Sequence, residues 1–271
     1  MKKAPRFAFA ALCCSIVMIP ARAQQGPCAG SEAADVQFQA RTFPVQKIGR
    51  AVLFHAGMSV DADGAPNAYA PRNKGLDFIA NAKNSGRFVG VATRADGEPI
   101  VQRSGRFKGF YVSTTSLRNA AGSVSAAGTY VDATKITYVV LPPEFMEQFG
   151  VALGDLAVVI NRKNGKSSPA IFADIGPRGK IGEGSIALAR ALGLDANPRR
   201  GGTSTPSIAY LVFPRSGLGP GKLRTAKEIK GSALKAFREW GGAKRLKACS
   251  TERWITEKLK RSPGERYSGK S

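Results

Sequence analysis

The chain has 271 residues, 43% of them apolar, which is enough for one sizeable core and allows one or two domains. Lys and Arg number 41 against 19 Asp and Glu, a net charge of +22, so anionic partners are favoured: peptidoglycan, lipopolysaccharide, acidic polysaccharide or nucleic acid. His55 is the one histidine and no Cys/His cluster occurs, so neither a zinc site of the usual type nor a motif-supported histidine triad is expected.

Residues 1–23 read as a secretory signal. Lys2, Lys3 and Arg6 precede an apolar run from Phe7 to Pro20, and Ala21-Arg-Ala23 fits a small-x-small cleavage site. The run is too short for a comfortable membrane span, so a soluble, exported protein is expected, secreted or periplasmic after cleavage near Ala23. Two of the four cysteines, Cys13 and Cys14, fall inside the signal. In an oxidising compartment the remaining pair, Cys28 and Cys249, is expected to form one disulfide, the alternative being two free thiols.

Residues 24–50 carry few periodic apolar positions and read as an N-terminal arm. From Ala51 onward short apolar runs recur: Val52–Phe54, Phe88–Val91, Phe110–Val112, Tyr138–Leu141, Leu156–Ile160, Ala170–Phe172 and Ile208–Phe213. Gly, Pro, Asn and Asp bound them, which predicts a mainly β barrel or sandwich over 51–221. Helical turns are expected over Gly75–Ala82 and Pro143–Phe149, and a firm helix from Ser185 to Leu194, capped by Ser185. Beyond Gly221, Ile229, Ala233, Ala236, Phe237 and Trp240 lie at helical spacing, which predicts a helix over Ala226–Trp240. Residues 222–271 hold fifteen Lys/Arg against five Glu and read as a basic, partly helical C-terminal extension. It is either a packed appendage or an anchor for an anionic surface. A second short helix over Arg253–Arg261 and a disordered tail over Ser262–Ser271 are expected there.

The most informative stretch is Asp174-Ile-Gly-Pro-Arg-Gly-Lys-Ile-Gly-Glu183. A strand ends, a Gly/Pro turn follows and a helix begins, leaving two carboxylates nine positions apart on either side of a rigid turn. Such a pair serves glycosidic hydrolysis, which needs an acid and a base about a water apart. The plainer reading is a turn-forming Asp and a Glu that favours a helix start.

Further motifs accumulate in order: Asp61-Ala-Asp-Gly-Ala-Pro-Asn-Ala-Tyr69, Gly75–Ala82, Gly109–Leu117, Tyr130-Val-Asp132, Tyr138–Pro142, Gly150–Ala157, Ala173–Pro177 and Gly182–Ala189. Together, over about 52–217, they closely resemble glycoside hydrolase family 75, the chitosanases, here as a secreted bacterial member. The resemblance implies an endo-acting, inverting glycosidase that cleaves β-1,4 links of chitosan without metal or organic cofactor. It places the essential carboxylates at Asp174 and Glu183, with Glu183 read as acid and Asp174 as base. Asp61, Asp63, Asn67 and Tyr69 are expected to line the sugar groove, the carboxylates facing glucosamine ammonium groups. Where the family has His after the Tyr, this chain has Ala70. Tyr111, Ser113, Thr114 and Thr115 read either as a polar strand face in the cleft or as an exposed strand.

Asp61-Ala-Asp-Gly64 starts like a calcium loop, but the twelfth position is Arg72, so a tight turn is expected and no metal. Asp155 reads as a turn residue or a third acid. Arg178 and Lys180, inside the turn, either pair with Asp174 or Glu183 or face solvent. The strand–Asp-x-Gly-Pro–turn–helix pattern also resembles barwin, expansins and rare lipoprotein A transglycosylases, which implies a double-psi β-barrel-like core. A polysaccharide substrate, a monomer and no specific nucleic acid are expected. A polycationic substrate sits awkwardly with so basic a chain. The alternatives are therefore a peptidoglycan glycosidase and a non-catalytic, expansin-like glycan-binding module.

Overall fold

The computed structural model describes Cys28, residues 31–38 and residues 41–249. The expected signal, the second C-terminal helix and the tail lie outside the described residues. No helix among those described is long and apolar enough to cross a membrane.

The strands are β1 (Ser31–Phe38), β2 (Arg41–Ile48), β3 (Ala51–Asp61), the two-residue pair β4 (Lys83–Asn84) and β5 (Arg87–Phe88), β6 (Tyr138–Leu141), β7 (Leu156–Asn161), β8 (Ser167–Ile175), β9 (Glu183–Ser185) and β10 (Thr203–Phe213). Six of them close a mixed barrel in the order β3-β10-β7-β8-β6-β9, with β9 returning to β3. The pairs β6–β8 and β3–β9 are parallel and the others antiparallel. Closure removes the exposed strand edges that an open sheet would leave. The apolar runs of β6 and β7 are nearly continuous because both strands lie deep in the barrel wall.

The core centres on Phe54, whose ring stacks on Tyr210 at 4.7 Å and meets Phe145 edge-on at 4.9 Å. Helix α1 (Pro143–Phe149) occupies the segment read as a helical turn, with Pro at its first position and Gly150 in the left-handed conformation ending it. Helix α2 (Ile186–Ala191) is capped by Ser185, whose hydroxyl accepts from Leu188 N and donates to Ile136 O. The Phe88–Val91 and Phe110–Val112 runs form only β5 and isolated bridges such as Val91 to Ser113.

Two segments flanking residues 51–221 pack onto the sheet. Residues 31–48 form a hairpin, and β2 pairs with the first half of β3, so the arm continues the sheet. Its Val36, Val45 and Ile48 are fully buried. Their periodicity is masked in sequence by interleaved Pro44, Gln46 and Lys47. Likewise, the basic stretch after Gly221 begins inside the fold. Helix α3 (Ala226–Trp240) starts with a capping box between Thr225 and Glu228, packs Ile229 and Ala233 against β7 and β8, and ends with Trp240 donating to Ile48 O at 2.8 Å. Helix α4 (Gly242–Cys249) follows, and Cys249 is bonded to Cys28 across 221 positions, with the α-carbons 5.3 Å apart.

Candidate active site

Asp174 and Glu183 are brought to one level of the barrel by β6. Val140 lies between them, paired with Asp174 on β8 at one side and with Glu183 on β9 at the other. In-register residues of adjacent strands project to the same face. The Asp174 side depends on a bulge: the β6–β8 register runs from Val139–Phe172 to Val140–Asp174, leaving Ala173 as the extra residue. A bulge re-aims the side chain that follows it. On the Glu183 side, Gly182 has φ +85, and a β-carbon there would sit 2.7 Å from Gly57 O on β3. Only glycine lets the chain approach β3 this closely and turn into β9.

Asp174 is buried, and its Oδ1 accepts three hydrogen bonds, from Ser116 N at 2.7 Å, Ser116 Oγ at 2.6 Å and Ile175 N at 3.0 Å. Burial outweighs these donors and pushes its carboxyl up to about 6, with the Glu183 charge adding to the rise. Glu183 is paired with Lys180, 3.1 Å away, inside the turn. Arg178 turns outward instead and binds Glu147 and Glu144 of α1, tying the turn to that helix.

The β3 end brings two more carboxylates to the same place. Asp61 ends β3, and Asp63 follows in a turn closed by Asp63 N donating to Asp61 Oδ1 at 2.8 Å. Carboxylate oxygens of Asp61, Asp63 and Asp174 lie within 4.8 Å of one another, a spacing that a cation or shared protons can bridge. Burial first, and then repulsion from Glu183 and Asp174, raise the carboxyl of Asp61 well above the usual range; burial and the charges of Asp61 and Asp174 do the same for Asp63.

Burial favours a proton on Asp61, and the contacts around Tyr138 accommodate one. The Tyr138 hydroxyl is 2.9 Å from Asp61 Oδ2 and 2.9 Å from the Asp63 carbonyl oxygen. A hydroxyl has one hydrogen, and a carbonyl can only accept. Both contacts are satisfied when Tyr138 donates to the carbonyl and Asp61 carries its own proton toward Tyr138. Asp61 is then a neutral carboxylic acid.

The remaining groove candidates divide. Tyr69 is buried, its hydroxyl donating to Asp63 Oδ1 at 2.7 Å. Ser113 is buried, donating to Gly90 O and accepting from Gly64 N. Thr115 donates to Leu117 O and accepts from Val131 N. All three hydroxyls are taken up by the frame around the acids. Thr114 and Tyr111 are half-buried, the Tyr111 ring lying edge-on to Phe88 at 6.1 Å. Asn67 is half-buried, and its carbonyl accepts from Leu76 N. Asp155 is a turn anchor: its buried carboxylate accepts from the N–H groups of Ala152, Arg215, Ser216 and Gly217. Sequence reasoning sees Tyr138 only as part of an apolar strand and Ser116 only as one hydroxyl in a polar run. Their signals are a Tyr at a buried strand start and a hydroxyl beside a carboxylate 58 positions away.

A paired Asp and Glu beside an acidic cluster is the equipment of a glycoside hydrolase, and comparison with known proteins names the family. Residues 58–240 match the fungal chitosanases of glycosyl hydrolase group 75, and the chain belongs to that family. It is a chitosan-hydrolysing glycosidase. None of the curated proteins compared with the chain matches it. The matched segment runs to the last residue of α3, in line with the packing of that helix into the core.

Proposed function

We propose that the protein is an exported, endo-acting chitosanase that inverts the anomeric centre, with Asp174 as general base and Glu183 as general acid. The observation that carries this reading is the common Val140 partner of the two residues. The two carboxyls thus project from strands on either side of β6, with one strand's width between them to admit a water. Inverting enzymes use such a gap, about 6.5–9.5 Å between carboxyls, whereas retaining enzymes hold them near 5 Å. The three donors on Asp174 Oδ1 favour its ionised form and leave Oδ2 to take a proton from water. The donor on Glu183 is the half-exposed Lys180 side chain, which can swing aside as substrate settles, so that Glu183 serves the leaving oxygen.

Asp63, half-buried at the groove, is the group placed to meet a glucosamine ammonium, with neutral Asp61 and Tyr69 beneath it. This local acidity acts within a Debye length of about 8 Å and answers the long-range repulsion between a basic protein and a cationic polymer. Two parallel pairs among six strands support a double-psi barrel. The catalytic unit takes in α3 as well as residues 51–221, and the exposed lysines of α3 and α4 offer an anionic surface a contact.

The test is product analysis. Purified protein is incubated with chitosan beside Asp174→Asn and Glu183→Gln, and the first anomer released is read by proton NMR. Short glucosamine oligomers with inverted anomers are expected from wild type alone. Activity in either folded variant would sink the assignment, and a retained anomer would sink the mechanism.

A further inference from the structure

Helix α3 turns a continuous basic face outward. At 3.6 residues per turn, Lys227, Lys230, Lys235 and Arg238 fall within an arc of about 140°, and all four are exposed. Buried Ile229, Ala233 and Trp240 occupy the opposite side. Lys244 and Lys247 of α4 add two more exposed cations. The acids of α3 do not balance this charge. Glu228 is engaged by Thr225 in the capping box, and Glu239 is shared between Arg50 and Lys235. Among the described residues, Lys227, Lys230, Arg238, Lys244 and Lys247 have no ion-pair partner.

This arrangement works against the helix itself. Lys227 and Lys230 lie in its first turns, where the dipole disfavours cations, and like charges three positions apart repel. An external anion relieves both effects. Five of the six cations are lysines, hydrated point charges without the fork that grips one fixed oxyanion, so a polymer of spaced charges suits them. Trp240 is buried and Phe237 half-buried, which leaves no exposed ring on α3 to stack a nucleobase. The apolar side of α3 is packed in the core and cannot enter a bilayer. The partner that fits is an acidic polysaccharide. The chain at +22 and chitosan are both cationic and repel one another, whereas an acidic polysaccharide attracts both. We propose that the α3–α4 face docks on an acidic polysaccharide that holds chitosan as its counter-polymer, so that the enzyme reaches its substrate through a shared polyanion. The inference deepens the anionic-surface contact and rests on the chitosanase reading.

The experiment measures retention on alginate beads, and hydrolysis of chitosan either dissolved or adsorbed on those beads. It compares wild type with two variants that each lose four exposed cations. One is Lys227→Gln/Lys230→Gln/Arg238→Gln/Lys244→Gln on the helices. The other is Lys74→Gln/Arg87→Gln/Arg103→Gln/Lys108→Gln, elsewhere on the surface. Thermal melts confirm that both fold. The helix variant should bind alginate more than about tenfold more weakly, since each cation at an anionic surface contributes roughly a fivefold factor. The other variant should stay within a few-fold of wild type. Wild type should cut adsorbed chitosan faster than dissolved chitosan, on the order of tenfold. The helix variant should lose that advantage and cut dissolved chitosan like wild type. Equal weakening of both variants overturns the docking face, because net charge alone then explains retention. No advantage on adsorbed chitosan overturns the role in reaching substrate. Tighter binding to phosphatidylglycerol vesicles than to alginate overturns the polysaccharide in favour of a membrane. Failure of folded wild type to cut dissolved chitosan overturns the hydrolase reading, and bead retention still decides the docking face.

Discussion

Asp61→Asn is the substitution that tests the site most sharply. If Asp61 is a neutral acid, asparagine is its near-isostere. The amide oxygen still accepts from Asp63 N, the amide nitrogen donates to Tyr138, and Tyr138 still donates to the Asp63 carbonyl. All three bonds survive, so stability at acid pH should change by less than about 0.5 kcal/mol, the scale of a substitution that breaks no feature. Asp61→Ala differs by leaving Asp63 N–H without its acceptor in a buried turn, at about 1–3 kcal/mol plus the small cavity. The pH dependence adds a sign. With its carboxyl raised by burial, wild-type Asp61 keeps a proton in the fold that the unfolded chain has released. Unfolding free energy therefore falls as pH rises above the unfolded value near 4 and on through the folded value. The asparagine amide has no such proton to lose, so the variant should gain on wild type as pH rises. The assays are thermal melts from pH 4 to 8 and kcat on chitosan over the same range. Activity within a few-fold of wild type is expected. A folded Asp61→Asn that loses a hundredfold or more, the scale of a lost charged catalytic group, would refute the argument from Tyr138.

Asp174, with its carboxyl near 6, predicts that kcat/KM falls on the acid side of about pH 6 as the base is protonated; a fall on the alkaline side would make it the acid. A rise from 3.8 to about 6 corresponds to roughly 3 kcal/mol of stability lost between pH 4 and pH 6. Asp174→Asn should remove most of that loss and melt higher than wild type at pH 7 while inactive, and a lower melt there would contradict it. Gly90→Ala tests Asp63, because a β-carbon there would lie 2.7 Å from both carboxylate oxygens. Displacing that carboxylate should cut kcat/KM on the order of tenfold or more with little change in melting, and unaltered kinetics would count against Asp63. Cys28→Ser should cost about 2–4 kcal/mol and lower the melting temperature by roughly 5–10 °C, and an unchanged melt would mean the bridge contributes nothing.

Much of the scaffold is legible in the chain. The apolar runs of β3, β6, β7, β8 and β10 mark strands because a barrel wall buries them. The 3.6 period and the Thr225–Glu228 box mark α3, and Ser185 marks α2, because both signals act within one or two turns. Cys28 and Cys249 pair by counting. Asp174 and Glu183 stand out through a local turn and a family pattern. What tertiary structure alone decided depends on distant partners. The three-residue β9 has no pattern of its own and exists because β3 and β6 flank it. The bulge at Ala173 that aims Asp174 appears only once β8 is registered against β6. Asp61 meets a hydroxyl 77 positions away, and Asp174 is supported by a serine 58 positions away. The hairpin over 31–48 finds its apolar partners in β3 and α1, not in its own alternation. Local composition determines which element a segment forms. Desolvation and shared protons at the site come from groups that only barrel closure brings together.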